Sequence, residues 1–367
     1  MRILLLSDTY SEHTEKWALG LANKGVEVGL FSFNKASYDW YAHPNITVFF
    51  EPAKKINAES TLTKLAYLKY VTILKKIIKH FEPDVLHAHY ATSYGLVGAL
   101  SSFHPYIISS WGTDVMKFPN KNFVAKSILK YNYKSADVLC ATSETIREYI
   151  HKVSKKDVVV VPFGVDTGNF SPTKVNSLFR EGDFVLGSIK PLEELYNIDI
   201  LLHSFAKLYT KYPNLKLLIA GEGTREKFLM ELADKLKVSD AVTFTGRIPF
   251  KEISKYYNMI HVLVNISEYE SFGVSVIEAM ACEKPVIVTN IGGLKDIVKE
   301  ETLGIKVEMR NVEQTVSAIE TLMVDKAKYK EIAENSRKHV IENYSWEKNL
   351  EQMMSIYSEV INKQKPD

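Results

Sequence analysis

The sequence predicts an α/β protein built as two parallel-sheet units, and three observations carry that reading. Short β-branched or leucine-rich runs alternate with longer stretches of helical periodicity along the whole chain. The 367 residues are long for one core, so two domains of about 160–190 residues are the natural expectation. The composition, 46% hydrophobic and 25% charged, is that of an ordinary globular protein able to fill two such cores.

In the first half, strands are expected at 2–7, 26–32, 46–50, 84–87, 106–110, 137–141 and 157–161, with helices between several of them. The opening residues, Met1 to Asp8, turn acidic too soon for a signal peptide and read as a first buried strand. In the second half, strands are expected at 184–189, 215–220, 242–245, 261–264, 285–289 and 304–307. Helices are expected there at about 199–211, 224–236, 251–258 and 273–282. Parallel sheets of this kind bind ligands at the carboxyl ends of their strands. No internal repeat or low-complexity tract interrupts the pattern, and only Lys363 to Asp367 are expected to fray.

Charge and cysteine content narrow the function classes. The net charge of +2 hides an asymmetry: residues 1–165 carry 20 Lys and Arg against 14 Asp and Glu, the remainder 26 against 30. A basic half joined to an acidic half suggests that one half faces an anionic surface or ligand. The excess is too small, and comes with no recognised motif, for nucleic acid to be the partner. Cys140 and Cys282, the only cysteines, sit in apolar settings, which excludes a disulfide framework and points to a reducing cytoplasm. No run approaches 18 apolar residues, so no membrane span is expected. The turn after the first strand, Ser7 to Thr14, has no glycine, so a nicotinamide-binding fingerprint fails there. Gly221-Glu222-Gly223 reads as a tight strand-to-helix turn.

Residues 270–281, Glu-Ser-Phe-Gly-Val-Ser-Val-Ile-Glu-Ala-Met-Ala, are the most informative segment. A loop enters an apolar helix that nevertheless contains Glu278, a carboxylate that is costly to bury unless something polar meets it. Val274 and Glu278 share a helix face, which places the carboxylate beneath a first turn with unpaired N–H groups and the positive end of the dipole. The expected assembly is an anion cradle with Glu270 before it and Glu278 below, suited to a nucleoside diphosphate flanked by sugar hydroxyls. The plainer alternative is a charge at a helix start and a carboxylate paired to a neighbouring strand.

This segment, with Pro285-Val286-Ile287 after it, resembles the Glu-x7-Glu signature of the family 4 retaining glycosyltransferases. Ala136-Asp137-Val138 with Ala141-Thr142-Ser143-Glu144, Val160 to Asp166 with Phe170-Ser171-Pro172, Gly292-Gly293 and Tyr344-Ser345-Trp346-Glu347 fit the same family in order and spacing. The resemblance implies a GT-B fold, two Rossmann-like domains facing across a cleft. Residues 1–164 would bind the acceptor and 165–344 the nucleotide sugar, the chain crossing near Pro162-Phe163-Gly164 and a last helix, about 345–363, returning to the first domain.

The same resemblance implies site roles. Glu270 would bind donor-sugar hydroxyls; Ser271, Phe272, Gly273 and Val274 would meet sugar oxygens and phosphate, chiefly through the backbone N–H groups of the last three. Glu278 would accept from ribose hydroxyls, and main-chain atoms at Ile248 would read the base. The family's diphosphate grip, Gly-Arg-Leu then Lys-Gly, is altered: Ser188 replaces the arginine, and Tyr196-Asn197 falls where Lys-Gly is usual. A subgroup with Lys-x-Leu-Glu before Tyr-Gly-Ile-Asp looks closer and makes Lys190 the phosphate ligand, with Arg225 and Lys227 as candidate second cations. Trp111 stands where relatives carry a histidine facing the transferred sugar, leaving His89 as the polar group expected near the reaction. Ser11 to Lys16, with His13 and Lys16, replaces a glycine-rich loop and is expected to line the acceptor side together with Trp111.

No Asp-x-Asp occurs, so cations and a helix N-terminus must neutralise the leaving diphosphate, and neither metal nor cofactor is expected. His87 and His89 share a side of their strand but have no third ligand at metal spacing. Asp114 is expected to cap a helix. Retention, implied by the family, would proceed by front-face attack, with a covalent intermediate as the weaker alternative. Leu62 to Phe81 holds five lysines and no acid: either a solvated helix face or an interfacial helix on anionic lipid at the inner face of the cell membrane, where a lipid-linked acceptor is met. The expected partners are a nucleotide-sugar donor and a glycan or lipid-linked acceptor in surface polysaccharide synthesis. A nucleotide-sugar epimerase or hydrolase of this fold, or a weakened sugar-nucleotide-binding protein, is the alternative.

Overall fold

The structure, a computed structural model, describes residues 1–34, 39–50 and 69–364. The chain divides into two compact units, Met1–Phe163 joined by the segment from Lys348 onward, and Gly164–Glu347. Each is a doubly wound parallel sheet, as the alternating pattern predicts.

The first unit holds β1 (Arg2–Leu6), α1 (Glu12–Asn23), β2 (Glu27–Ser32), β3 (Ile46–Phe50), α2 (Lys69–Phe81), β4 (Val85–His89), α3 (Ser93–Ser101) and β5 (Tyr106–Ser110). It continues with α4 (Thr113–Met116), α5 (Phe123–Ser135), β6 (Val138–Ala141), α6 (Glu144–His151) and β7 (Val158–Val160). Its strands lie in the order β3-β2-β1-β4-β5-β6-β7, every pair parallel. Ile3 to Leu6 are fully buried because helices cover both faces of the sheet. Of the basic segment, 62–68 lie outside the described residues; α2 buries Tyr70, Leu74 and Phe81 and exposes Lys69, Lys75, Lys76 and Lys79.

The second unit holds β8 (Phe184–Ile189), α7 (Ile198–Tyr209), β9 (Leu215–Ala220), α8 (Glu226–Lys235), β10 (Val242–Phe244), α9 (Ile253–Met259) and β11 (Val262–Asn265). Then follow α10 (Val274–Ala281), β12 (Val286–Thr289), α11 (Gly292–Ile297), β13 (Ile305–Val307), α12 (Val312–Val324) and α13 (Lys326–Asn343). The order is β10-β9-β8-β11-β12-β13, again all parallel. Leu186, Leu217, Val264 and Ile287 from the sheet pack with Leu201, Phe205 and Ile319 from the helices.

Strand and helix limits fall within one or two residues of expectation; β4 runs two residues further, through His89, and so includes both histidines. The helices α11, α12 and α13 are not among the expected elements. The last two abut at Asp325, which ends one and caps the other by accepting from the Lys328 N–H. A polar junction with no glycine or proline hides two helices in one stretch. The final helix, α14 (Trp346–Asn362), packs within the first unit: Asn349 donates to the Pro162 carbonyl, and the Tyr357 hydroxyl meets His87 Nδ1 at 2.7 Å. Among the described residues no helix is long and apolar enough to cross a membrane.

Candidate active site

In a doubly wound sheet, the crevice opens where the strand order reverses. In the second unit that point lies between β8 and β11. The loop leaving β8 begins with Lys190, and the loop leaving β11 carries Glu270. Their side chains meet in an ion pair, Lys190 Nζ to Glu270 Oε2, with only 11% and 16% of the side chains exposed. Lys190 Nζ also lies 5.3 Å from the centroid of the Tyr196 ring. The topology thus joins two residues 80 positions apart that the sequence had singled out separately.

Main-chain bonds hold both loops. The Lys190 N–H donates to the Ala220 carbonyl, the Leu192 N–H to Glu222, and the Arg225 N–H to Leu192. At Gly221, φ is +144°, and an added Cβ would lie 2.0 Å from the Lys190 carbonyl oxygen, so only glycine allows the two loops to approach. The Glu268 N–H donates to the Leu195 carbonyl, and buried Asn197, at φ 53°, donates through Nδ2 to Ile266. The Gly293 N–H donates to the Glu270 carbonyl; a Cβ on Gly292 would stand 2.1 Å from that oxygen. The Gly292-Gly293 pair therefore seats α11 against the Glu270 loop.

Ser271 is partly exposed, while Phe272 is buried with its ring against Tyr344, centroids 5.8 Å apart. Gly273 stands at the N-cap of α10, which opens at Val274, so the first N–H groups of the helix lie at the end that follows the Glu270 loop. Glu278, one turn on, is buried and accepts from the Tyr257 hydroxyl at 2.7 Å. The plainer alternative, pairing to a strand, is corrected in its partner: Tyr257 comes from α9. Burial, then the Glu278 charge, raises the Tyr257 phenol well above its usual range. Nothing in the spacing of residues 257 and 278 announces this contact.

Ile248 lies apart, partly buried in the loop after β10, with β9 between that strand and β8. That loop is joined to the next through the Gly221 N–H, which donates to Gly246. Ser188 is inside β8 and buried, its hydroxyl without a hydrogen-bond partner among the described residues. Arg225 lies over Phe228 at 4.1 Å and 3.7 Å from Glu194, on the same loop system as Lys190. Lys227 is 90% exposed and reaches toward Glu231 on its own helix.

In the first unit the reversal lies between β1 and β4. His89 is buried, and its Nδ1 lies 3.1 Å from Ser7 Oγ, itself 2.6 Å from Thr14 Oγ1. The Trp111 ring is 4.6 Å from His89, and His13 stacks on Phe163 at 3.8 Å. His87 is bound on both ring nitrogens, to Tyr357 and to Ser109 Oγ at 2.8 Å, so it ties α14 to the sheet. Burial pushes His87 down to about 3; burial and then Lys16 push His13 to about 4. Burial, then His87 and His13, hold His89 well below the usual histidine range. These are neutral imidazoles.

Asp114 corrects an expectation. Gly112 occupies the cap position of α4, and Asp114 accepts instead from the Ala91, Trp111 and Gly112 N–H groups, binding the loop after β4 to the loop after β5. Desolvation raises its carboxyl against the pull of those donors. Phe163 and Tyr196 were also not foreseen as neighbours of His13 and Lys190.

Two family models match the chain: Glycosyl transferase 4-like over residues 2–143 and Glycosyl transferases group 1 over 170–339. The chain belongs to the GT-B glycosyltransferase superfamily. Among curated relatives, the N-acetyl-alpha-D-glucosaminyl L-malate synthase of Bacillus anthracis is 25% identical over 93% of this glycosyltransferase and 91% of its own length. Sucrose-phosphate synthase from Thermosynechococcus elongatus superposes with a TM-score of 0.84, covering 99% of this chain and 100% of its own at 21% identity. HepE of Anabaena, solved with UDP and glucose, does so at 0.78, covering 98% and 100% at 19% identity. These solved structures share the fold of this glycosyltransferase.

Proposed function

We propose that this glycosyltransferase moves a sugar, with retention, from a nucleotide-sugar donor to a glycan, lipid-linked glycan or small acceptor. The observation that carries the reading is the Lys190–Glu270 pair at the switch point beside the first turn of α10. A cation, a carboxylate and a helix N-terminus side by side suit a diphosphate joined to a sugar. Lys190 binds the diphosphate, with Arg225 better placed than Lys227 to assist. Glu270 turns to the donor-sugar hydroxyls, Ser271 to Val274 meet sugar and phosphate oxygens, Glu278 takes the ribose and Ile248 flanks the base. His13, Lys16 and Trp111 serve the acceptor, with His89 as the polar group behind them.

The sequence holds no Asp-x-Asp, so charge neutralisation falls to these cations, without a metal. HepE, solved with UDP and glucose, lends support to a nucleotide-sugar donor. In the reaction the bond from the anomeric carbon to phosphate oxygen breaks, the acceptor oxygen bonds on the same face, and its proton passes to the departing diphosphate. The test is product analysis with a panel of nucleotide sugars, with and without EDTA. Transfer that persists in EDTA and is lost in Glu270→Ala is expected. Loss in EDTA restored by Mg²⁺ would overturn the metal-free mechanism, and an altered sugar formed with no acceptor would indicate an epimerase or hydrolase.

The exposed lysines of α2 support a further part of the reading, attraction to anionic lipid at the site of a membrane-borne acceptor in surface polysaccharide synthesis. Each such lysine is worth roughly 1 kcal/mol near an anionic surface. Cosedimentation with vesicles should rise with anionic lipid and fall with salt, and replacing Lys69, Lys75, Lys76 and Lys79 by Gln should abolish it. A wild type that ignores anionic vesicles removes the membrane from the proposal.

A further inference from the structure

We propose that Tyr196 is a positioning residue whose ring holds the Lys190 ammonium in place while that ammonium exchanges Glu270 for a diphosphate. The inference rests on the reading of Lys190 as the phosphate ligand. Nζ of Lys190 lies 5.3 Å from the ring centroid, within the reach of a cation–π contact. The ring is partly buried against the hydrophobic core, and the backbone that carries it is held. Tyr196 ends a short helical turn, Glu194–Tyr196, and Asn197 follows it in the left-handed region at φ 53°. On one side of the tyrosine the Leu195 carbonyl accepts from Glu268, and on the other Asn197 Nδ2 donates to Ile266. The turn is thus clamped to the loop that carries Glu270.

The two partners of Lys190 differ in kind. Glu270 accepts from the ammonium, and a diphosphate accepts from the same N–H donors, so the two compete for them. An aromatic face attracts the charge without accepting a conventional hydrogen bond, so it keeps its hold whichever oxygen the ammonium serves. Without that face, a lysine on a flexible four-carbon stem would surrender more rotamer freedom on meeting phosphate. The contact asks for a ring face and makes no use of the phenolic oxygen.

The test is calorimetric titration of the full chain with UDP, GDP and ADP and the matching monophosphates, followed with the tightest diphosphate. Lys190→Ala should weaken it by about tenfold or more, and Tyr196→Leu by about three- to tenfold. Tyr196→Phe should stay within about twofold of wild type. In the Lys190→Ala background, Tyr196→Leu should cost nothing further, the coupling that a purely structural role would not show. Equal losses from Tyr196→Leu with and without Lys190, or a phenylalanine variant as weak as the leucine one, would overturn the inference and leave the donor site standing. Full diphosphate affinity in Lys190→Ala, or no diphosphate bound by wild type, would remove the donor reading and this inference together. Thermal melts establish that each variant is folded, and Tyr196→Gln replaces the leucine variant if that one is not.

Discussion

The two switch points share a topology and differ in their electrostatics. Between β8 and β11 a nearly buried lysine and glutamate face each other beside a helix start. Between β1 and β4 the corresponding place holds His89 and Ser7, with His13 edge-on to Trp111 and stacked on Phe163, all uncharged at neutral pH. The switch point of the second unit offers a cation and a carboxylate, while that of the first offers hydroxyls and aromatic faces. The sheet decides where a ligand can sit, and the few residues at its strand ends decide what kind.

The largest expected effect breaks the charged side. Lys190→Ala leaves Glu270 without its partner and the proposed diphosphate without its cation. Turnover should fall by about 10²- to 10³-fold, the scale seen when a preorganised stabilising donor is removed. Initial rates at saturating donor measure it, and a loss below about threefold would mean that Lys190 only braces the loop.

Acid should strike the other side. His13, His87 and His89 are depressed in the folded chain, so the unfolded chain binds more protons once the pH falls below about 6.5. Their stability contribution is complete above that pH and is lost as the pH drops toward 4 and 3. Melting temperature should decline over this window, and His87→Gln should make the decline shallower. An identical slope in that variant would place the acid sensitivity elsewhere.

A smaller effect sharpens the charged side. Glu278→Ala should weaken nucleoside diphosphate binding by about 1–3 kcal/mol, the worth of hydrogen bonds to a charged acceptor. The same change strips Tyr257 of its acceptor, so melting should fall as well. Glu278→Gln separates the two, since an amide still accepts from Tyr257. Unchanged nucleotide affinity in a folded Glu278→Ala protein would end the ribose role.

Much of the fold was legible because parallel strands buried on both faces appear as uninterrupted apolar runs, as in Ile3-Leu4-Leu5-Leu6 and Val262-Leu263-Val264. Two helices were missed where Asp325 joins them without a glycine or proline. The residues of the donor side were legible one by one: Lys190 as a cation past a strand end, Glu270 and Glu278 as carboxylates around an apolar helix.

By itself the sequence determined the alternation of strands and helices, the division into two units and the identity of the groups able to carry charge. These follow from local periodicity and residue chemistry, which neighbours along the chain suffice to express. Only the tertiary structure decided that Lys190 meets Glu270 over Tyr196, that Glu278 is met by Tyr257, and that His87 serves α14 through Tyr357. Those partners lie 80, 6, 21 and 270 positions apart, and no local period links them. Strand order brings Lys190 to Glu270, loop folding turns Tyr196 back under Lys190, and helix packing supplies the other two contacts; each is a property of the packed fold.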